Sequence, residues 1–212
     1  AADLLVTYTV DVVPEESTAL RLREWLATGH RWLALHGTNS VLRWSKAAKA
    51  WEAPRDRAAF MQTVGSQFLS HPPIAPYRVE ITQPDHPLVA GIEPFQAEDE
   101  LYLSELHGPL EVLLHTRWSG ETPLFVDRDW TRDEPRPVMY LKREGDGGIV
   151  FRRVDGVDEE LREAETELLE LRGDLILQFL RNLIEMRGNL QDGDLLGAEQ
   201  GGDGVLGAGD DD

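Results

Sequence analysis

Trp32-Leu33-Ala34-Leu35-His36-Gly37 is a short apolar run closed by a histidine and a glycine. A run of this length, bounded by turn residues, reads as a buried strand. Toward the N-terminus, Leu4-Leu5-Val6-Thr7-Tyr8 reads as a second buried strand. Between them Pro14-Glu15-Glu16 opens a helix, with acids in the first turn, where the helix dipole favours them. Leu20, Leu22, Trp25 and Leu26 give that helix a buried face, and Gly29 stops it. Strand, helix, strand in this spacing predicts two parallel strands joined by a crossover helix.

Downstream, Phe60, Met61, Val64 and Phe68 predict a helix over residues 57–68, with Gly65 on it. Residues 78–82 alternate and read as a strand. Residues 102–106 and 111–116 read as two more, joined by His107-Gly108-Pro109. Val138-Met139-Tyr140-Leu141 and Ile149-Val150-Phe151 read as a hairpin across Glu144-Gly145-Asp146-Gly147. Residues 158–187 follow a long helical pattern, weakened by Gly173. No internal repeat is visible.

The chain has 212 residues, a net charge of −18 and no cysteine. The charge disfavours a nucleic acid as main partner. The absence of cysteine removes disulfides, thiolate metal sites and a thiol nucleophile. No stretch of eighteen apolar residues offers a membrane span. Residues 1–143 carry 20 acids against 15 bases, whereas residues 144–212 carry 19 against 6. This shift, which begins near Gly145–Gly148, predicts three segments. They are an α/β domain over 1–150, a divergent helical segment over 151–188 and a disordered acidic tail over 189–212. The chain opens Ala1-Ala2-Asp3 with no signal-peptide pattern, and is expected to be a trimmed chain of cytoplasmic location.

His36 ends a buried strand, and ligands of open α/β sheets bind outside the carboxyl ends of the strands. It also reads as a structural histidine. His71 stands before Pro72-Pro73 in an extended loop, and reads equally as a surface loop histidine. Asp85-His86-Pro87 is a polar turn that reads equally as a cap. Glu98-Asp99-Glu100, followed by Tyr102, is the densest carboxylate cluster beside a strand. A carboxylate pointing into a pocket with His36 or His71 would serve as general base or metal ligand. The six tryptophans are spread along the chain; most are expected to pack in the core or to be partly exposed, and some offer faces for stacking on a sugar ring. No nucleophile elbow, dinucleotide fingerprint, phosphate loop or HExxH motif occurs.

Four segments in order carry a resemblance: Trp32-Leu33-Ala34-Leu35-His36-Gly37; Val64-Gly65-Ser66-Gln67-Phe68 with Ser70-His71-Pro72; Asp85-His86-Pro87-Leu88-Val89-Ala90-Gly91-Ile92; and Asp99-Glu100-Leu101-Tyr102. Together they resemble the ThuA-like (trehalose utilisation) family, whose fold is like that of class I glutamine amidotransferases. The resemblance covers about residues 3–150. It implies a flavodoxin-like three-layer sandwich with a mostly parallel sheet, followed here by the acidic helix and tail. It implies a site at the carboxyl edge of the sheet, with His36, His71, Asp99 and Glu100 as catalytic residues. Thr38, His86 and Tyr102 would bind substrate. His36 and His71 would be the ligands of any divalent metal such as zinc. Where amidotransferase relatives place a cysteine this chain has none, so it is not a glutamine amidotransferase. The family's first strand is expected to be missing. The family's Gly-His after the last strand is replaced by Val154-Asp155-Gly156.

These features imply an enzyme acting on trehalose-related or 3-keto sugars, with a small-molecule sugar as partner. The alternative is a non-catalytic carbohydrate-binding or regulatory module with a degraded site. A third reading is a structural protein whose acidic helix, through Leu161, Ala164, Leu168, Leu171 and Leu175, assembles with a partner.

Overall fold

A computed structural model describes residues 3–153. In chain order the elements are β1 (Leu4–Tyr8), α1 (Glu16–Ala27), β2 (Arg31–Leu35), a 3-10 turn (His36–Asn39), β3 (Arg43–Ser45), β4 (Ala50–Glu52), α2 (Ala58–Val64), β5 (Ser66–Ser70), β6 (Ala75–Ile81), β7 (Phe95–Asp99), β8 (Leu103–Leu106), β9 (Glu111–Glu121), β10 (Asp129–Glu144) and β11 (Gly147–Arg152). The expected helix over 158–187, the tail over 189–212 and the assembly seam lie outside the described residues.

Seven strands form one sheet in the order β1-β2-β11-β10-β9-β6-β7, and β3-β4 and β5-β8 form two small ones. The first unit is as the sequence predicts. β1 runs parallel to β2, with Leu4 opposite Arg31 and Tyr8 opposite Leu35. α1 is the crossover, and Gly29, at φ 102°, ends it by donating its N–H to the Leu26 carbonyl at 2.9 Å. The predicted hairpin is also present: β10 and β11 pair antiparallel from Glu144–Gly147 to Met139–Arg152.

The flavodoxin-like, mostly parallel sandwich is corrected. Only β1–β2 and β2–β11 are parallel; every other pair in the large sheet is antiparallel. For β9–β10 and β10–β11 the cause is connection length. A parallel pair needs a crossover of a dozen residues or more, usually a helix. β10 reaches β11 through a two-residue turn, and β9 reaches β10 through seven residues. The only helices among the described residues are α1 and the seven-residue α2. The fold is a mixed, strand-rich sheet with both helices on one side.

Two local expectations are corrected too. The helix over 57–68 stops at Val64, because Gly65 takes the left-handed conformation at φ 99°. A Cβ there would meet Lys142, Leu110 and Tyr140. Phe68 therefore lies in β5, not on a helix. Leu20, expected on the buried face of α1, is 46% exposed, whereas Ala19 and Leu26 are buried.

Period-two alternation divides the core. Trp32 and Ala34 of β2, with Ile149 and Phe151 of β11, pack under the helices against Phe60, Met61 and Val64. Leu33 and Val150 face the other way, into Val79, Val89, Leu103, Leu113 and Val138. Both strands are thus covered on two faces, which explains the continuous apolar run at 32–35. Among the described residues no helix is long and apolar enough to cross a membrane.

Candidate functional site

β2 delivers His36. At its end the chain passes close under the preceding loop: a Cβ on Gly37 would lie 2.8 Å from the Thr9 carbonyl oxygen. His36 itself sits at φ 44°, in the left-handed region. That conformation costs a residue with a Cβ about 1–2 kcal/mol and persists where surroundings hold it. Here His36 Nδ1 donates to the Arg153 carbonyl at 3.3 Å. The ring also stacks on Tyr8, with centroids 5.5 Å apart, and packs against Tyr102.

β5 delivers His71. Its Nδ1 donates to the Pro72 carbonyl at 2.7 Å, and its ring packs edge-on against Phe125 with centroids 5.1 Å apart. A buried polar chain locks the His36 turn to this strand. Asn39 Nδ2 donates to Ser66 Oγ at 2.7 Å. Tyr140 Oη donates to the Val64 carbonyl at 3.0 Å. Ser66 Oγ therefore donates to Tyr140 Oη across 2.8 Å.

Glu100, just beyond β7, brings a carboxylate between the two imidazoles. Its Oε1 is 3.6 Å from His71 Nε2 and its Oε2 is 3.8 Å from His36 Nε2. Both histidines commit Nδ1–H to a carbonyl, so in the neutral ring Nε2 carries the lone pair. Tyr102 Oη lies 3.1 Å from His36 Nε2. Burial raises the Tyr102 pKa well above the ordinary 10, and the Glu100 charge pushes it the same way. Tyr102 thus stays protonated and donates to His36. The His71 lone pair and the Glu100 carboxylate face each other across a gap too long for a direct hydrogen bond. A ligand hydroxyl approaching from the side can donate to either acceptor.

Arg153 underlies this group. It is 1% exposed, donates to Tyr77 Oη at 2.7 Å and to the Tyr102 carbonyl at 3.4 Å, and sets its guanidinium 5.0 Å from the Tyr102 ring centre. Burial lowers its pKa, opposed by Tyr77 and Asp99. Its Nε is buried with no partner among the described residues.

Four of the expected residues, His36, His71, Glu100 and Tyr102, therefore come together. Asp99 stands beside them and accepts the Glu100 N–H at 2.7 Å, fixing the turn that carries Glu100. Thr38 does not line the site: it is 1% exposed and donates to the Leu35 carbonyl at 2.7 Å. His86 accepts the Leu88 N–H at 3.2 Å and closes its own turn. Among the described residues no group of three or more His, Cys, Asp or Glu side chains is arranged to hold a metal ion.

Sequence reasoning missed Arg153, Tyr8, Tyr77 and Phe125. Arg153 carried no signal in the sequence, because the strand it follows is placed beside the strand leading to His36 only by the sheet order. A cavity of about 570 Å³ lies between β8 and β9–β10, lined by Tyr102, Ser104, His115, Trp130 and Arg136 among others. Tyr102 is the residue it shares with the cluster.

No family model and no curated protein matches the chain. Solved structures do. A protein described as ThuA-like from Bacteroides uniformis superposes with a TM-score of 0.54 at 16% identity, over 84% of this chain and 68% of that one. Another described so, from Parabacteroides merdae, gives 0.48 at 19% identity, over 74% and 61%. A β-galactosidase from Rahnella sp. R3 gives 0.46 at 13% identity, over 82% and 23%. At these identities the likeness is one of fold, and the Bacteroides structure carries it: the chain has a ThuA-like fold.

Proposed function

We propose that the chain is an enzyme domain that moves a proton on a sugar bearing a carbonyl group, of the 3-keto or trehalose-related kind. The observation that carries this reading is the Glu100 carboxylate held between two histidine Nε2 atoms whose Nδ1 atoms are both committed to backbone carbonyls. In this reading Glu100, backed by His71, removes the proton from the carbon next to the sugar carbonyl. The electron pair moves into the new carbon–carbon double bond, and the carbonyl oxygen becomes an enolate oxygen. On binding, the Tyr102 hydroxyl turns its proton from His36 Nε2 to that oxygen. General acid–base groups so placed contribute about 10²–10⁴-fold in rate.

The test is deuterium exchange. A 3-keto glucoside is incubated with the protein in D₂O, and loss of the proton beside the carbonyl is followed by NMR. Exchange faster than in buffer, abolished in Glu100→Gln, supports the proposal. Binding of the keto sugar without enhanced exchange makes the chain a carbohydrate-binding module, and neither binding nor exchange removes the sugar reading altogether.

A further inference from the structure

Two tryptophans stand in solvent beside this cluster. Trp44 is 51% exposed and Trp51 is 43% exposed. They sit opposite each other on the β3–β4 hairpin, with ring centroids 5.5 Å apart at 77°. Leaving two indoles half-exposed forgoes part of the apolar burial that such large side chains offer. The hairpin is nevertheless held firmly. The Trp51 N–H donates to the Leu124 carbonyl at 2.9 Å, and the Val126 N–H donates to the Trp51 carbonyl at 2.8 Å. These bonds make Trp51 the parallel bridge partner of Phe125.

Partners in a β-ladder project to the same face, about 4.8 Å apart. Phe125 points inward, onto Phe68 and onto the His71 ring. Trp51 therefore lies one strand spacing outside the residue that packs on the candidate base pair. The rim carries hydrogen-bonding groups as well. Two residues beyond Phe125, Asp127 holds Arg55 at 3.2 Å, and Arg55 also reaches Glu105 at 3.1 Å. A rigid, exposed aromatic surface with charged planar groups at its edge suits a ligand with apolar ring faces and equatorial hydroxyls.

We infer that Trp44 and Trp51 form a stacking platform for a further ring of an oligosaccharide whose reacting ring lies at His71 and Glu100. The ligand class is a neutral sugar chain of more than one ring. This rests on the sugar reading proposed above, and it adds that a single ring does not fill the site.

The experiment compares mono- and tetrasaccharides of the β-1,4 gluco-, manno- and galacto-series and the α-1,4 gluco-series, by calorimetric titration of the whole chain. The expected result is that one tetrasaccharide binds about tenfold more tightly than its monosaccharide, a stacked ring being worth ~1.4 kcal/mol. Trp51→Ala and Trp44→Ala should each remove most of that advantage while leaving the monosaccharide Kd unchanged. Glu100→Gln should keep the advantage, which separates loss of the platform from loss of the chemistry. The inference is overturned if no tetrasaccharide gains over its monosaccharide. It is also overturned if the advantage survives in both tryptophan variants, or if their effect is a concentration-dependent change in mass instead, which would make the pair a contact between copies of the chain.

Discussion

His36 and Arg153 end adjacent parallel strands side by side, and the Nδ1–H of His36 donates to the main-chain carbonyl of Arg153 at 3.3 Å. β2 and β11 pair with Leu35 opposite Arg152, so the next residue on each strand must meet. The bond fixes the imidazole tautomer, holds a residue at φ 44° and turns Nε2 toward Tyr102 and Glu100. The sheet register thus sets which His36 nitrogen faces the candidate site.

Replacing His36 separates backbone from chemistry. Asn tolerates the left-handed conformation, so His36→Asn should fold with stability within about 1 kcal/mol of the parent. It loses the imidazole that polarises Tyr102, and proton exchange on the 3-keto glucoside should fall about 10²-fold or more. Urea unfolding and the exchange rate, measured on the same preparation, check both halves. Equal exchange in the variant would remove His36 from the chemistry.

Arg153 is a fully buried arginine held by a phenol, a carbonyl and two aromatic faces. Arg153→Ala should cost roughly 2–5 kcal/mol, as other large-to-small core changes do. Arg153→Lys should not restore it, because a point-like ammonium cannot replace the planar fork that meets Tyr77 and lies over Tyr102. Denaturant melts of the two variants decide this, and full rescue by lysine would contradict the role given to the fork.

The chain Asn39–Ser66–Tyr140 ties the His36 turn to the strand that leads to His71. Removing its middle member, Ser66→Ala, leaves Asn39 Nδ2 buried without an acceptor, which costs about 1–3 kcal/mol. It also loosens the His36–His71 spacing, so exchange should fall more than the lost stability accounts for. Rates measured well below the melting temperature distinguish the two effects.

Much of this could be read in the sequence, and the physical reasons for the rest are specific. The run 32–35 declares a buried strand, and the turn at Gly145 declares the hairpin to Phe151. The fold class was not legible from them. The first strand–helix–strand unit is parallel, but β9, β10 and β11 follow one another through connections too short to cross over, and β6 pairs antiparallel with β7 and β9. Phe68 fits a helical spacing, and only the left-handed Gly65 removes it from the helix. In the site, His36, His71 and Glu100 are each conspicuous, yet their convergence is a property of sheet order. Arg153 is unremarkable in the sequence and matters because β11 inserts beside β2.

At the opposite end of the sheet, Glu144 accepts from Lys142 Nζ at 2.7 Å and from Arg23 Nε at 2.7 Å, pinning α1 to the end of β10. Burial alone would raise its pKa, but the two cations outweigh it and hold the carboxyl below its ordinary 4.5. A depressed carboxyl pKa stabilises the fold above the unfolded value, and that contribution is lost as pH falls through the folded value. Glu144→Gln should therefore cost about 1.5–3 kcal/mol near neutral pH, the worth of hydrogen bonds to a charged group. The gap between parent and variant should begin to close below about pH 4.5 and vanish once Glu144 is protonated in the folded parent. Urea titrations at a series of pH values from neutral to about pH 3 read this directly. A gap that stays constant across the series would show that the carboxylate charge contributes nothing, and that the side chain acts only by its shape.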